Sequence, residues 1–218
     1  MAEAEKEMAS YLESVLVLRR RTPGLDLLSA LLAVEADDDR ISSAEFVDLA
    51  MLLLVAGHET TVNLIGNGIL ALLGAPDQRE ILRSAPTLLG GAVDEFLRFD
   101  SPVQMTQRIA TEDLDLAGNR VRAGDEIVLV LGAANRDPSV FDEPHRLRVD
   151  REARRHVAFG GGIHHCLGAT LARMEAEVAI SGLLQRFRRI ESAGPAIRRL
   201  NFTLRGLASL PVTLTMAT

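Results

Sequence analysis

The first hundred residues place apolar side chains at helical spacing. Apolar residues recur every three or four positions over 4–20 and again over 26–34, which predicts two helices. Ser42 and Glu45 then match the capping-box pattern, in which each side chain bonds the other residue's backbone N–H at the start of a helix. The apolar positions that follow predict a long helix over 43–73, which ends ahead of a glycine and a proline.

The rest of the chain changes from helical to mixed patterning. Helical spacing predicts further helices over 76–82, 87–99 and 167–187. Apolar and β-branched runs predict short strands over 107–110, 114–116 and 126–131. These strands belong to a β and irregular region that covers 103–158, and weak alternation predicts terminal β structure over 197–215. Because there are no repeats and no linker, the pattern predicts a single domain portion over 1–218, mainly α with a small antiparallel β part.

Composition limits the classes of function. The 218 residues are 47% hydrophobic, enough for a globular domain with a sizeable core. A formal net charge of −6 argues against general nucleic-acid binding, and a single cysteine excludes a disulfide scaffold. The N-terminus carries no signal-peptide pattern, and the longest uninterrupted apolar stretch, 49–57, is too short to span a bilayer. We therefore expect a cytoplasmic protein with neither a nucleic-acid nor a membrane partner.

The one cysteine lies in a glycine-rich segment, Phe159 to Gly168, which reads FGGGIHHCLG. Residue type alone favours a buried cysteine that packs as a small hydrophobe. The surroundings favour another role, because three consecutive glycines allow the backbone to approach a large flat group. A helical pattern also begins directly after Cys166, and the free N–H groups and positive dipole end of a helix favour a thiolate. A thiolate in such a loop is the ligand that a heme iron needs.

Three other chemistries fit this segment less well. A phosphate cradle would need Gly-x-Gly-x-x-Gly, but His165 stands where the last glycine would be. Zinc needs ligands that converge on one point, whereas His164, His165 and Cys166 are adjacent along the chain. A cysteine nucleophile needs a histidine that an acid orients, and no such acid is evident in the segment.

The spacing Phe-Gly-x-Gly-x-His-x-Cys-x-Gly over 159–168 resembles the heme-ligand loop of the cytochrome P-450 monooxygenases. The resemblance implies that Cys166 ligates the iron of heme b, iron-protoporphyrin IX. It also implies that Arg108 and His164 contact the heme propionates, a contact for which a guanidinium is well suited. The full set of cofactor-binding residues that it implies is Ala56, Gly57, Arg108, Phe159, Gly160, Gly162, His164 and Gly168.

A second matching motif, AGHETT over 56–61, lies in the middle of the predicted long helix. Read alone, Glu59 is a solvated carboxylate and Thr60 bonds back to a carbonyl one turn earlier. Gly57 weakens the helix and, with Thr60, predicts a local widening. The resemblance implies that Glu59 relays protons and that Thr60 hydrogen-bonds dioxygen at the iron, so that these two residues form the catalytic pair.

A third matching motif is Glu-x-x-Arg at Glu95 and Arg98, whose i, i+3 spacing places both charges on one helix face. Read alone, the two residues form a surface ion pair that contributes little stability. The resemblance implies instead a buried pair that Arg146 joins. It assigns this network to holding the irregular region rigid ahead of Cys166.

The resemblance spans nearly the whole sequence, yet members of the family are considerably longer, so the sequence matches only their C-terminal half. It implies a monooxygenase that inserts one oxygen atom of dioxygen into a hydrophobic small molecule, with electrons from NAD(P)H through a ferredoxin-type partner. Two alternatives stay open: a non-catalytic heme-binding or self-associating fragment, and a heme-free interaction module. Without the other half, apolar faces of the long helix would be uncovered, which predicts a homodimer.

Overall fold

The computed structural model describes residues 3–38 and 42–216. Where the sequence predicts one domain portion, the chain divides into two compact units, one up to Glu59 and one from Thr60. The boundary falls within a long helix. The helices of the first unit, with the long helix that continues into the second, are α1 (Glu3–Arg21), α2 (Leu27–Asp38) and α3 (Ser43–Gly74).

The capping box that the sequence predicts begins α3. The Ser42 backbone N–H and hydroxyl donate to Glu45 Oε2 at 2.8 and 2.7 Å, and the Glu45 N–H donates to Ser42 Oγ at 3.3 Å. Hydrogen bonds from Ser42 also lower the pKa of the Glu45 carboxyl. These bonds satisfy donors that a helix start leaves open. One apolar cluster forms the core of the first unit: Leu12, Leu16, Leu32, Phe46, Val47 and Ala50.

In the second unit, the core forms where three helices approach one another closely. Its helices after α3 are α4 (Pro76–Ser84), α5 (Leu89–Phe99), α6 (Leu131–Ala134) and α7 (Ala169–Arg186). A Cβ added to Gly68 of α3 would lie 3.2 Å from the Phe96 ring of α5 and 3.4 Å from Ile180 of α7. Phe96 is 1% exposed and Ile180 is 0% exposed, and burying each such side chain stabilises by roughly 1.5–3 kcal/mol. This packing holds α5 beside α7.

Short strands complete the second unit. In chain order they are β1 (Thr106–Ile109), β2 (Leu114–Leu116), β3 (Asn119–Val121), β4 (Glu126–Leu129), β5 (Phe187–Ser192), β6 (Ile197–Arg198), β7 (Leu207–Ser209) and β8 (Val212–Met216). Within the described residues they form four two-stranded antiparallel sheets, which pair β1 with β4, β2 with β3, β5 with β8 and β6 with β7. The predicted class, mainly α with a small antiparallel β part, is therefore confirmed.

The strand β5 departs from the prediction. The helix predicted over 167–187 begins at Ala169 and ends at Arg186, and β5 follows it directly. Arginines of α4 hold this strand: Arg79 donates to the Ile190 carbonyl oxygen at 2.8 Å, and Arg83 donates to that of Phe187 at 2.6 Å. Local spacing does not contain this information, because the arginines are more than a hundred positions away in the sequence.

Helix α3 covers the predicted range, 43–73, and one further residue. By length and composition alone, Glu45–Gly74 is apolar enough to cross a membrane, with a mean hydropathy of 1.4 in its most apolar window. The uninterrupted apolar stretch over 49–57 is much shorter than this apolar helix, because isolated polar residues interrupt the stretch without breaking the helix. The core helix of a globular protein passes the same test, so the test by itself assigns no membrane.

Candidate functional site

The segment 159–168 forms a tight loop ahead of α7. Gly160 and Gly162 have φ values of 70° and 61°, in the left-handed region that favours glycine. The backbone N–H of Cys166 donates to the carbonyl oxygen of Phe159 at 2.9 Å. This bond closes the loop and ties the cysteine backbone to the residue at which the loop begins.

The loop presents its side chains outward. Every residue from 161 to 168 is exposed, including Cys166, so the cysteine is not a buried packing residue. A Cβ added at Gly161, Gly162 or Gly168 would meet no heavy atom of the described chain within 4 Å. A thiol beside an open, glycine-lined backbone fits a large flat prosthetic group, because no side chain of these glycines stands in the way.

Phe159, at the start of the loop, has its ring packed against charged and polar side chains. The guanidinium carbon of Arg173, on α7, lies 4.6 Å from the ring centroid, within cation–π range. The His156 ring lies 5.7 Å away at a tilt of 52°, and the His165 ring lies edge-on at 6.3 Å. The loop therefore begins at a residue that is held both from α7 and from the segment ahead of it.

Asp94 on α5 connects two of these groups. Its Oδ1 lies 2.7 Å from Arg173 Nε and 3.2 Å from His156 Nε2. Burial acts to raise the pKa of the Asp94 carboxyl, but hydrogen bonds from His156 and Arg173 outweigh burial, so its pKa lies below the ordinary value. The carboxylate is therefore ionised at neutral pH. Sequence reasoning missed all three residues, since no local spacing links them.

Glu95, the next residue of α5, forms a second and fully buried ion pair. Arg98 donates through Nε and Nη2 to the two Glu95 oxygens at 2.6 and 2.9 Å, and both side chains are 0% exposed. Arg98 Nη1 also donates to the carbonyl oxygens of Asn135 at 3.0 Å and Pro144 at 2.8 Å. The pair lies in the interior, as the resemblance implies, and it grips the irregular region through its backbone.

The third member of this network, after Glu95 and Arg98, is Arg151, and the side-chain role predicted for Arg146 is wrong. Arg151 Nε lies 3.3 Å from Glu95 Oε1, and its side chain is 8% exposed. The Arg146 side chain is 61% exposed and lies 3.5 Å from Glu143. Arg146 contributes its carbonyl oxygen, which accepts from Arg98 and Arg151 at 3.4 Å each. The irregular region carries several arginines, and its three-dimensional course selects the one that faces Glu95.

Asn135 is a further residue that the motifs did not single out for a role. It is 0% exposed, its Oδ1 accepts the Val157 backbone N–H at 2.7 Å, and its Nδ2 donates to Ser101 Oγ at 2.8 Å. Its carbonyl oxygen accepts from Arg98. Asn135 therefore links the buried ion pair to the chain just ahead of the cysteine loop. The signal that could have found it is its position at the start of the irregular region.

The AGHETT motif lies within α3, which is α-helical at each of its positions. The local widening of the helix predicted at Gly57 and Thr60 is not accompanied by π-helix or 3-10 helix, since residues 56–61 are all α-helical. Ala56 and Gly57 are exposed, whereas Glu59 and Thr60 are half-buried. The motif thus places two small residues and two polar ones within little more than one turn of the helix.

The two predicted propionate contacts differ in their surroundings. Arg108 is half-buried on β1, and its Nη1 donates to Thr106 Oγ1 at 3.1 Å and to the Gln107 carbonyl oxygen at 2.7 Å. These bonds involve one of the three guanidinium nitrogens, and a guanidinium carries five N–H donors. His164 is exposed at the end of a single 3-10 turn, Gly162–His164, within the cysteine loop. Both side chains have the chemistry to bind a carboxylate.

The donor set limits which metal centre fits. Across residues 3–38 and 42–216, no group of three or more His, Cys, Asp and Glu side chains could hold a metal ion. A single exposed thiol instead suits a metal that brings most of its own ligands, such as the iron of a porphyrin. The residues at Cys166 therefore fit a heme-thiolate centre better than a zinc centre.

Comparison with known proteins gives a match along most of the chain. The family model Cytochrome P450 matches residues 1–213. The chain is 47% identical over 215 residues to Cytochrome P450 107B1 of Saccharopolyspora erythraea, covering 97% of this chain and 53% of that protein. It is 49% identical over 213 residues to a vitamin D(3) 25-hydroxylase of Pseudonocardia autotrophica, covering 95% of this chain and 53% of that protein.

The fold matches as well as the sequence does. The crystal structure of P450BioI in complex with an acyl carrier protein ligated to hexadec-9Z-enoic acid aligns with a TM-score of 0.90 and 44% identity. That alignment covers 95% of this chain and 53% of the other. The chain thus spans about half the length of the relatives that it matches. From the family model over nearly its whole length, and from relatives close to half identical, it follows that this chain belongs to the cytochrome P450 family.

Proposed function

We propose that this chain is the heme-thiolate portion of a monooxygenase that inserts one oxygen atom of dioxygen into a hydrophobic small molecule. The observation that carries the proposal is the exposed Cys166 thiol on its glycine-lined loop. Cys166 is the only cysteine of the sequence, so thiolate ligation from this chain can come from no other residue. Membership of the P450 family supports the same assignment.

The residues that the family resemblance assigns to the cofactor have the chemistry to hold heme b. Cys166 would ligate the iron, and Arg108 and His164 would donate to the propionates. Small residues would allow close approach of the porphyrin: Ala56, Gly57, Gly160, Gly162 and Gly168, with Phe159 beside the thiolate. When bound, the heme supplies the iron at which dioxygen is activated, and a thiolate ligand favours O–O cleavage by donating electron density.

Glu59 and Thr60 are the residues that we assign to proton handling. A threonine hydroxyl both donates and accepts, so it can donate a hydrogen bond to a diatomic ligand and at the same time accept one from a neighbouring water. A carboxylate next to it in sequence can take up a proton from solvent and release it, which is general acid–base chemistry. Both side chains are half-buried, which suits groups that must exchange protons with water.

The names of relatives support a hydrophobic substrate. One relative is a vitamin D(3) 25-hydroxylase, and one structural neighbour was solved with a carrier-bound hexadecenoic acid. We extend that class, apolar molecules with few polar groups, to the whole protein of which this chain has the heme-binding half. Electrons would come from NAD(P)H through a ferredoxin-type partner in the cytoplasm.

An absorbance experiment tests the thiolate assignment. The chain supplied with heme, reduced and treated with carbon monoxide, should show the red-shifted Soret band of thiolate ligation. Cys166→His should keep heme but lose that band, whereas His145→Gln, at an exposed position outside the loop, should keep it. A thiolate band that survives Cys166→His would overturn the assignment. Failure of the unsubstituted chain to take up heme would favour the heme-free interaction module.

A self-associating, non-catalytic fragment is the second candidate, and α7 supports it. Leu171, Met174 and Val178 are 59%, 56% and 69% exposed, and their spacing of three and four places them on one face of α7. On α3, Leu52 and Val55 are also 62% and 56% exposed. Exposed apolar stripes favour association, most simply as a symmetric homodimer.

Light scattering tests that candidate. The chain should give a mass above the 23.6 kDa of one copy, and Leu171→Glu together with Val178→Glu should return it to one copy. Gln185→Glu adds a charge at an exposed position of the same helix and should leave the mass unchanged. An unsubstituted chain at 23.6 kDa would remove the homodimer. Product formed from NAD(P)H above background would remove the non-catalytic reading.

A further inference from the structure

We propose that Asp94, His156 and Arg173 form a positioning unit that holds Phe159 and, through it, the backbone of Cys166. The unit acts on the ligand loop directly, whereas the Glu95–Arg98 pair beside it acts on the irregular region. The functional meaning rests on the proposed heme-thiolate role of Cys166. The positioning of the Cys166 backbone does not depend on that role, because every contact involved lies within the polypeptide.

The hydrogen bonds of His156 define its role. Its Nδ1 accepts the backbone N–H of Ala158 at 3.1 Å, so Nδ1 carries no proton. Its Nε2 therefore bears the ring proton and donates to Asp94 Oδ1 at 3.2 Å. The side chain is 2% exposed, so both bonds lie away from solvent. His156 thus ties the carboxylate on α5 to the backbone one residue ahead of Phe159.

Arg173 contacts the same carboxylate from α7. Its Nε donates to Asp94 Oδ1 at 2.7 Å, and its guanidinium lies over the Phe159 ring at 4.6 Å. A single oxygen of Asp94 therefore binds two of the three side chains that lie against the Phe159 ring, His156 and Arg173. Because guanidinium and imidazole are each held by a charged acceptor, neither can move away from the ring without losing a hydrogen bond.

The last link runs through the backbone. Phe159 accepts the Cys166 N–H at its own carbonyl oxygen, at 2.9 Å. A displacement of Phe159 therefore lengthens or breaks the bond that sets where Cys166 stands. Asp94, His156 and Arg173 also connect three segments of the chain, namely α5, the segment ahead of the loop and α7. The loop is therefore anchored at both of its ends.

A matched control separates positioning from plain stabilisation. Asp100 follows α5, is 8% exposed where Asp94 is 9%, and also has two basic partners, Arg198 and Arg205, at 2.7 and 2.6 Å. Asp94→Asn and Asp100→Asn therefore each remove a largely buried carboxylate that two side chains bind. Their partners differ: those of Asp100 lie in the C-terminal part of the chain after β5, and those of Asp94 contact the first residue of the cysteine loop.

Amide hydrogen exchange of the heme-free chain, resolved by NMR, tests the proposal. Asp94→Asn should speed exchange at the Cys166 amide on the order of tenfold, the scale on which loss of one net hydrogen bond opens a local structure. Asp100→Asn should change it by less than about twofold. Arg173→Gln, at a side chain that is 32% exposed, is the second variant should Asp94→Asn fold poorly, and we expect the same direction of change.

Two variants of His156 test whether the positioning unit needs both hydrogen bonds of this side chain. His156→Asn keeps an acceptor near Nδ1 for the Ala158 N–H, and His156→Gln keeps a donor near Nε2 for Asp94. Both should expose the Cys166 amide, since the unit needs both bonds. If the Cys166 amide exchanges at the same rate in the Asp94, His156 and Arg173 variants as in Asp100→Asn, the positioning role is overturned. That result is independent of heme uptake, so it is distinguishable from failure of the thiolate assignment, which the carbon monoxide spectrum reports.

Discussion

Glu95 and Cys166 belong to the same unit, but their surroundings are opposite. Glu95 is 0% exposed, and its oxygens accept from Arg98, Arg151 and the Arg148 backbone N–H. Cys166 is exposed, on a loop whose residues from 161 to 168 are exposed with it. The buried network is completed within the polypeptide, whereas the loop takes its shape from backbone bonds and directs its side chains outward.

This contrast distinguishes residues that stabilise from residues that act. Both stretches belong to the motifs by which the sequence resembles its family, so the motifs alone do not separate them. A change in the buried network should alter the free energy of unfolding. A change in the loop should leave that free energy nearly intact and alter what the chain can bind.

The largest effect is expected in the buried network. Arg98→Ala leaves the Glu95 carboxylate buried without its bidentate partner, which should cost about 3–5 kcal/mol of unfolding free energy. Arg146→Ala removes an exposed side chain and should cost less than about 1 kcal/mol. Urea unfolding followed by circular dichroism measures both. Equal losses of unfolding free energy in the two variants would place the Arg146 side chain in the network, and would contradict the assignment of that place to Arg151.

Two glycines provide the next comparison. Gly206 is buried, and an added Cβ would overlap the side-chain amide of Asn63, which is 2% exposed. Gly206→Ala should therefore destabilise by about 1–3 kcal/mol through overpacking. Gly161→Ala, in the loop, should change stability by less than about 0.5 kcal/mol, because its φ is −167° and an added Cβ meets open space among the described residues. A larger loss for Gly161→Ala than for Gly206→Ala would reverse the comparison.

Acid should weaken the connection between the two regions. The pKa of Asp94 is lower in the folded chain than its ordinary value, so its stabilisation is fully present above the unfolded-state pKa of about 3.9. It is lost as the pH falls through the lower, folded-state pKa. Unfolding free energies at pH 7 and at about pH 3 should therefore differ less for Asp94→Asn than for the unsubstituted chain. If the unfolding free energy depends on pH equally in Asp94→Asn and in the unsubstituted chain, Asp94 does not contribute to the acid sensitivity.

The smallest effect on stability is expected at the cysteine itself. Cys166→Ser should change the unfolding free energy of the heme-free chain by less than about 0.5 kcal/mol, since the side chain is exposed. The same variant should lose the thiolate Soret band. A loss of stability comparable to that of Arg98→Ala would place Cys166 among the structural residues instead.

Local sequence information determined much of this protein. The capping box at Ser42 and Glu45, the i, i+3 charges at Glu95 and Arg98, and the cysteine loop over 159–168 each involve residues close together along the chain. Helical spacing and glycine chemistry act over the same short range, so the helices, the fold class and the candidate ligand could be predicted from the sequence.

Only the tertiary structure decided which distant residues meet. Arg151 lies 56 positions from Glu95, and Asp94 lies 62 positions from His156 and 79 from Arg173. Strand β5 depends on arginines of α4 in the same way. A periodic pattern carries no information about such pairs, because which of several arginines reaches a buried carboxylate depends on the course of an irregular region. That course is set by the packing of the whole unit around α5, where burial forces each charge to find a partner.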